Sequence, residues 1–206
     1  MKYLKPMVGT RQFDEEILLE AALKAFWQNG FAATSMIDVA EATGVQRGSL
    51  YNAYGDKERL FLLAFERYSS RFTEALKAID QRERDPLAKL EAYAKIYADV
   101  LSERRMCLCG MLAAGYDTLP APMQEAVIDF FDVNEAWLTR VLDRGVAEGE
   151  LVLSGSSAEA AQAIVSGLEG AMLIARPYDD VKRFDTAASR LMRSLVRAAP
   201  ASVTNR

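Results

Sequence analysis

The 206-residue chain contains no histidine. That removes the usual general base and the commonest zinc ligand. Cysteine occurs only as Cys107 and Cys109. Two thiols one residue apart do not make a structural metal site. On a helix, residues two apart point to different faces, so a disulfide between them is also poor geometry. No segment approaches the ~20 uninterrupted apolar residues of a membrane-spanning helix. The stretch from Met1 to Gly9 has two lysines but no long apolar core and no cleavage signal, so a cytoplasmic protein with no membrane partner is expected. Basic residues are fewer than acidic ones, and the net charge of −4 argues against a chain that coats nucleic acid. A small basic patch on a compact module remains compatible with that charge. The six prolines all fall where helices would begin or end.

What the chain does have is apolar periodicity. Half its residues are hydrophobic, enough to bury a core. They recur three and four apart from end to end, and no alternating stretch is long enough to suggest a sheet. The expected fold is all-α. A first helix should open at Asp14, with Glu15 and Glu16 in its first turn and Phe13 and Leu18 as a hydrophobic staple, and end at Asn29-Gly30. Ser35 should cap a second helix, with Asp38 reaching back. Gly44 then supplies a turn that can take a positive φ, and a short third helix runs from about Gln46 to Tyr54. Two short helices joined by a tight turn behind a longer one make a helix-turn-helix. A long helix from Lys57 to about Ile79 leads onward. Further helices are expected at 86–102, 105–115, 123–148, 157–175 and 180–198, with a frayed tail after Pro200. The boundary between a DNA-binding domain and an effector-binding and dimerisation domain is placed at 57/58.

The stretch Phe26–Phe61 reads FWQNGFAATSMIDVAEATGVQRGSLYNAYGDKERLF. Its fixed spacings are Phe26, Gly30, Phe31, Thr34 and Ser35, then Val39-Ala40, Gly44-Val45, and Arg47-Gly48-Ser49-Leu50-Tyr51 with Tyr54, Gly55, Lys57 and Glu58. This pattern closely resembles the DNA-binding module of the TetR/AcrR family of bacterial repressors. The resemblance covers about a quarter of the chain. Beyond it, the match is one of helical layout only.

The resemblance implies a pseudo-palindromic double-stranded DNA operator, a homodimer formed through the last two helices, and release by a small-molecule effector. Chemistry points to the same residues. Gly48 lets backbone approach DNA. Arg47 suits guanine or phosphate, Ser49 and Asn52 suit base edges, and the Tyr51 hydroxyl suits a phosphate. Lys57, Thr34 and Ser35 stand at helix starts and are expected to meet phosphates. Gln46, where Ser is frequent in the family, weakens the cap of the third helix. Tyr54 closes that helix and is also a core candidate, like Leu50. Lys2, Lys5 and Arg11 are candidates to trail along the duplex.

The segment Arg104-Arg105-Met106-Cys107-Leu108-Cys109 resembles one branch of the family, repressors that sense electrophiles and oxidants, in which Cys-Leu opens this helix. Cys109 has no counterpart there. Two arginines beside Cys107 would favour its thiolate; a small buried hydrophobe is the alternative. Tyr93, Tyr97, Met111, Phe130 and Trp137 are the other candidate effector-site residues, and Gly167, Gly170 and Ala171 the candidates for close helix approach. No catalytic residue, metal ligand or cofactor is expected, since neither a triad nor a Gly-rich phosphate loop can be assembled. The rival to a DNA-binding repressor is a helical small-molecule or redox sensor that acts through a protein partner.

Overall fold

A computed structural model describes the backbone of residues 8–198 and the side chains of 15–194. Lys2, Lys5 and the tail after Pro200 lie outside the described residues, as do the side chains of Arg11, Phe13 and Asp14. Nine α-helices occur among the described residues: α1 Val8–Asn29, α2 Met36–Thr43, α3 Arg47–Tyr54, α4 Lys57–Arg82, α5 Pro86–Ser102, α6 Leu108–Ala114, α7 Ala121–Ala147, α8 Ser157–Ala175 and α9 Val181–Leu195. The all-α expectation holds. One small ribbon adds to it: β1 Leu151–Leu153 pairs antiparallel with β2 Val196–Ala198, Val152 facing Arg197. Three residues are too few to leave an alternation signal, and the end of the expected last helix is consequently strand.

Helix ends follow local rules where side chains can cap them. Ser35 and Asp38 form the expected reciprocal box, with the Ser35 amide donating to Asp38 Oδ2 at 2.7 Å. Gly44 ends α2 at φ +68°, a conformation that costs a residue with a Cβ. Asp85 accepts from the Ala88 amide ahead of Pro86. Ser156 and Glu159 make a second box at α8 that the sequence reading had not singled out. Helix α1 corrects an expectation: it begins at Val8, not at Asp14. Residues 8–13 contain no proline and a single glycine, so nothing stops the helix from extending backwards past a residue that could have capped it.

The described chain forms two compact units. One comprises Met1–Phe72 with Leu112–Val127, the other Thr73–Met111 with Ile128–Arg206. The first unit's core is aromatic: Phe61 meets Phe26 edge-on at 5.1 Å and Phe31 at 5.3 Å, and Trp27 meets Tyr68 at 5.2 Å. In the second unit, α5, α8 and α9 pack together. Gly167 of α8 faces the Leu191 side chain of α9, so it serves the packing of these two helices within one chain. Gly170 faces open space. Its neighbours Leu173 and Ile174 are 61% and 58% exposed.

Candidate functional site

Helix α3 is eight residues long and shows two unlike faces. Leu50 and Tyr54, four apart, are buried. Arg47, Gly48, Ser49, Tyr51, Asn52 and Ala53 are exposed, Tyr51 at 44%. Two anchors therefore fix the helix while Arg47, Ser49, Tyr51 and Asn52 are left in solvent. Gln46 supplies no side-chain cap, as expected. A Cβ at Gly48 would meet nothing, so its smallness serves no packing within the chain.

Two expected contacts are corrected, at Thr34 and Tyr54, and a third, at Lys57, is narrowed. Thr34 is 1% exposed, and its hydroxyl donates to the Gly30 carbonyl at 2.6 Å. It closes the turn after α1 and has no hydroxyl to offer a phosphate. Tyr54 is core, and burial raises the pKa of its hydroxyl. Lys57 donates to the carbonyls of Phe31 and Thr34 at 2.9 and 3.0 Å, and its ammonium lies 4.3 Å from the centre of the Phe31 ring. Two of its three donors are thus spent tying the start of α4 to the α1–α2 turn. Ser35 stays exposed at the start of α2.

The second group of candidates lies in the other unit. Tyr93 stacks on Trp137 at 5.7 Å. Its hydroxyl donates to Asn134 Oδ1 at 3.0 Å and lies 3.1 Å from that of Tyr97. Burial pushes both phenols far above their ordinary pKa. The Trp137 indole N–H donates at 2.9 Å to Asp80 Oδ2, near the end of α4, and buried Lys89 reaches Asp80 Oδ1 at 2.5 Å. Partial burial opposes the Asp80 charge, but these two donors hold its carboxyl below the usual range. Phe130 is buried, and Met111 is half-buried.

Cys107 lies just before α6, which starts three residues later than expected. Its arginine neighbours face other partners. Arg104 pairs with Asp179, its Nε donating to Oδ1 at 3.1 Å, and Arg105 pairs with Glu103. Each guanidinium therefore has a carboxylate partner of its own. Glu169 is one group beside Cys107, and its carboxyl is pushed up to about 10 by burial and by Cys107. A groove of about 860 Å³ runs elsewhere, along Leu87, Ala94 and Ala98 of α5 and Phe184, Ala188 and Met192 of α9. None of the six effector candidates lines it.

Sequence reasoning passed over Asp80, Lys89, Asn134 and Glu169 as functional groups. Glu169 did leave a signal, as the one charged residue between Ala160 and Ala175. Asp80 left none, because its partner Trp137 is 57 residues away.

Two family models match the chain. Residues 18–64 match "Bacterial regulatory proteins, tetR family", and residues 86–191, just over half of the 206, match "Tetracyclin repressor-like, C-terminal domain". The chain belongs to the TetR family. Among its TetR relatives, the repressor ComR of Escherichia coli is 45% identical over 60 residues, 29% of either chain. The probable regulator ArpR of Pseudomonas putida is 27% identical over 166 residues, 76% of this chain and 79% of that one. The match to ComR thus spans less than a third of that protein's length. A TetR-family regulator from Agrobacterium tumefaciens superposes with a TM-score of 0.85 at 25% identity, covering 90% of this chain and 99% of that one. The family is one of regulatory proteins, not enzymes. No helix among the described residues is long and apolar enough to cross a membrane.

Proposed function

We propose that the chain is a ligand-released transcriptional repressor of the cytoplasm, with a DNA-binding domain at 1–57 and an effector-binding and dimerisation domain at 58–206. The observation that carries this reading is the two-faced α3: a helix anchored by Leu50 and Tyr54 that leaves Arg47, Ser49, Tyr51 and Asn52 in solvent. A dimer presents two such helices about 34 Å apart, one turn of DNA, to a pseudo-palindromic operator. Arg47, Ser49 and Asn52 read base edges, Gly48 allows close approach, and Tyr51 and Ser35 hold phosphates. Lys57 keeps one donor for a phosphate while the other two fix the head. The exposed Leu173 and Ile174 and the open Gly170 favour α8, with α9, as the dimer face.

The effector acts at the cluster of Tyr93, Tyr97, Trp137, Phe130 and Met111, next to Cys107. An effector that shifts Trp137 disturbs its bond to Asp80, and Asp80 belongs to α4, the helix that continues from the DNA-binding head. Release requires the effector to bind the two states unequally. Its finer identity is a thiol-reactive compound that modifies Cys107.

DNA selected from a random pool should yield a palindrome, bound with an affinity that falls steeply with salt. N-ethylmaleimide should release that DNA from the wild type and not from Cys107→Ser. Binding independent of salt and sequence would sink the repressor reading. Equal release from both proteins would sink the thiol reading alone.

A further inference from the structure

Cys107 and Cys109 would face apart if both stood on one helix. Because α6 begins at Leu108, Cys107 stands before it, and that argument no longer separates the two side chains, both of which are buried. They are 3% and 0% exposed, and neither is in a disulfide. Their thiols are in hydrogen-bonding contact with each other, and Cys107 also contacts the Glu169 carboxyl. The Cys107 amide donates to Met172 Sδ at 3.0 Å. Glu169 lies against Gly110, where any Cβ would collide with the carboxyl, and its Oε1 is buried with no hydrogen-bond partner.

We infer that Cys107 and Cys109 form a dithiol site for a trivalent arsenic compound, one arsenic atom bridging both sulfurs; this rests on the reading of Cys107 as the thiol that meets the effector. A disulfide would require drawing the two sulfurs to about 2 Å. A bridging atom needs less closure. Among the described residues, no three histidine, cysteine or acidic side chains are placed to hold a metal ion, so tetrahedral zinc lacks its ligand set. An organoarsenical needs only two sulfurs, because its organic group fills the third position. In the dihydroxy form, two As–S bonds form and two As–O bonds break. The two thiol protons leave with the hydroxyls as two waters, and nothing is oxidised or reduced. Glu169 is placed to serve this exchange. Held protonated at neutral pH, it can give its proton to a departing hydroxyl and take up a thiol proton, with Oε1 open as acceptor. Access comes through the connection before α6. There Arg104 takes a left-handed backbone at φ +60° and is held by Asp179, itself at φ +51°, through an exposed ion pair that opens readily.

The test uses phenylarsine oxide, the full chain and no DNA, read by intact-protein mass spectrometry. The wild type should take up one phenylarsenic group per chain, resistant to excess glutathione and removed by 1,2-ethanedithiol. Cys107→Ala and Cys109→Ala should each lose the glutathione-resistant adduct; serine variants serve wherever alanine unfolds the chain. No adduct on the wild type, or a resistant adduct on either single variant, overturns the proposal. Because the readout is adduct mass, its failure leaves release of DNA by N-ethylmaleimide standing, and the converse also holds.

Discussion

The two units use polar residues in opposite ways. In the first, the core is mainly aromatic and aliphatic, with the Thr34 hydroxyl closed onto a carbonyl, and Arg47, Ser49, Tyr51 and Asn52 of α3 stand outside. In the second, hydroxyls, thiols, an amide and a carboxylic acid are folded into the interior: Tyr93, Tyr97, Asn134, Cys107, Cys109 and Glu169. A surface that must meet a charged duplex can leave its donors in water until they are used. An interior site has to satisfy or neutralise each polar group in advance, because an unpaired buried one is expensive. Substitution in the first unit should therefore change binding with little effect on stability, and in the second change stability and its pH dependence.

The largest expected effect lies at Glu169. Its pKa is raised on folding, from an ordinary value of 4.5 to about 10. The stability from burying it neutral is complete below pH 4.5 and is lost as pH climbs through 10. Between pH 4.5 and 7 the loss is on the order of 3 kcal/mol. Glu169→Gln should remove that slope in urea titrations run across this range; an unchanged slope would show that the acid is ionised in the fold. Next comes Lys57, where the comparison is tested at its weakest point. Lys57→Ala strips the Phe31 and Thr34 carbonyls of a charged donor and should cost about 1.5–3 kcal/mol in thermal unfolding. A variant that melts like the wild type but loses one unit of salt slope in DNA binding would make Lys57 a phosphate ligand first. Arg47→Ala sharpens the contrast, since it should weaken operator binding by about 1–3 kcal/mol with an unchanged melting temperature. The smallest effect on stability is expected at Arg104→Ala, an exposed partner of Asp179. Melting should barely move, while the rate of Cys107 labelling by N-ethylmaleimide should rise. An unaltered rate would mean that the pair does not control entry.

How much was legible in the sequence follows from distance along the chain. The cap at Ser35 and the turn at Gly44 involve residues within a few positions of one another, and they appear as expected. The two faces of α3 follow from Leu50 and Tyr54 at helical spacing. The six effector candidates were drawn from apolar spacing, and the structure joins Tyr93, Tyr97 and Trp137 in one cluster. What spacing missed were polar groups bound to remote partners: Lys57 to Phe31, Trp137 to Asp80, and Arg104 to Asp179, 75 residues apart. Thr34 failed for a different, local reason: a hydroxyl that fits a phosphate fits the carbonyl four residues back equally well.

By itself the sequence determined the helical class, the helix-turn-helix and the family resemblance, because apolar period, caps and turn glycines act locally and need no knowledge of the rest of the chain. Only the tertiary structure decided which cations are spent inside the protein, that burial works against the Glu169 charge, and that Cys107 and Cys109 are both buried. Those outcomes depend on desolvation and on contacts across long loops, and neither quantity is written in the order of the residues.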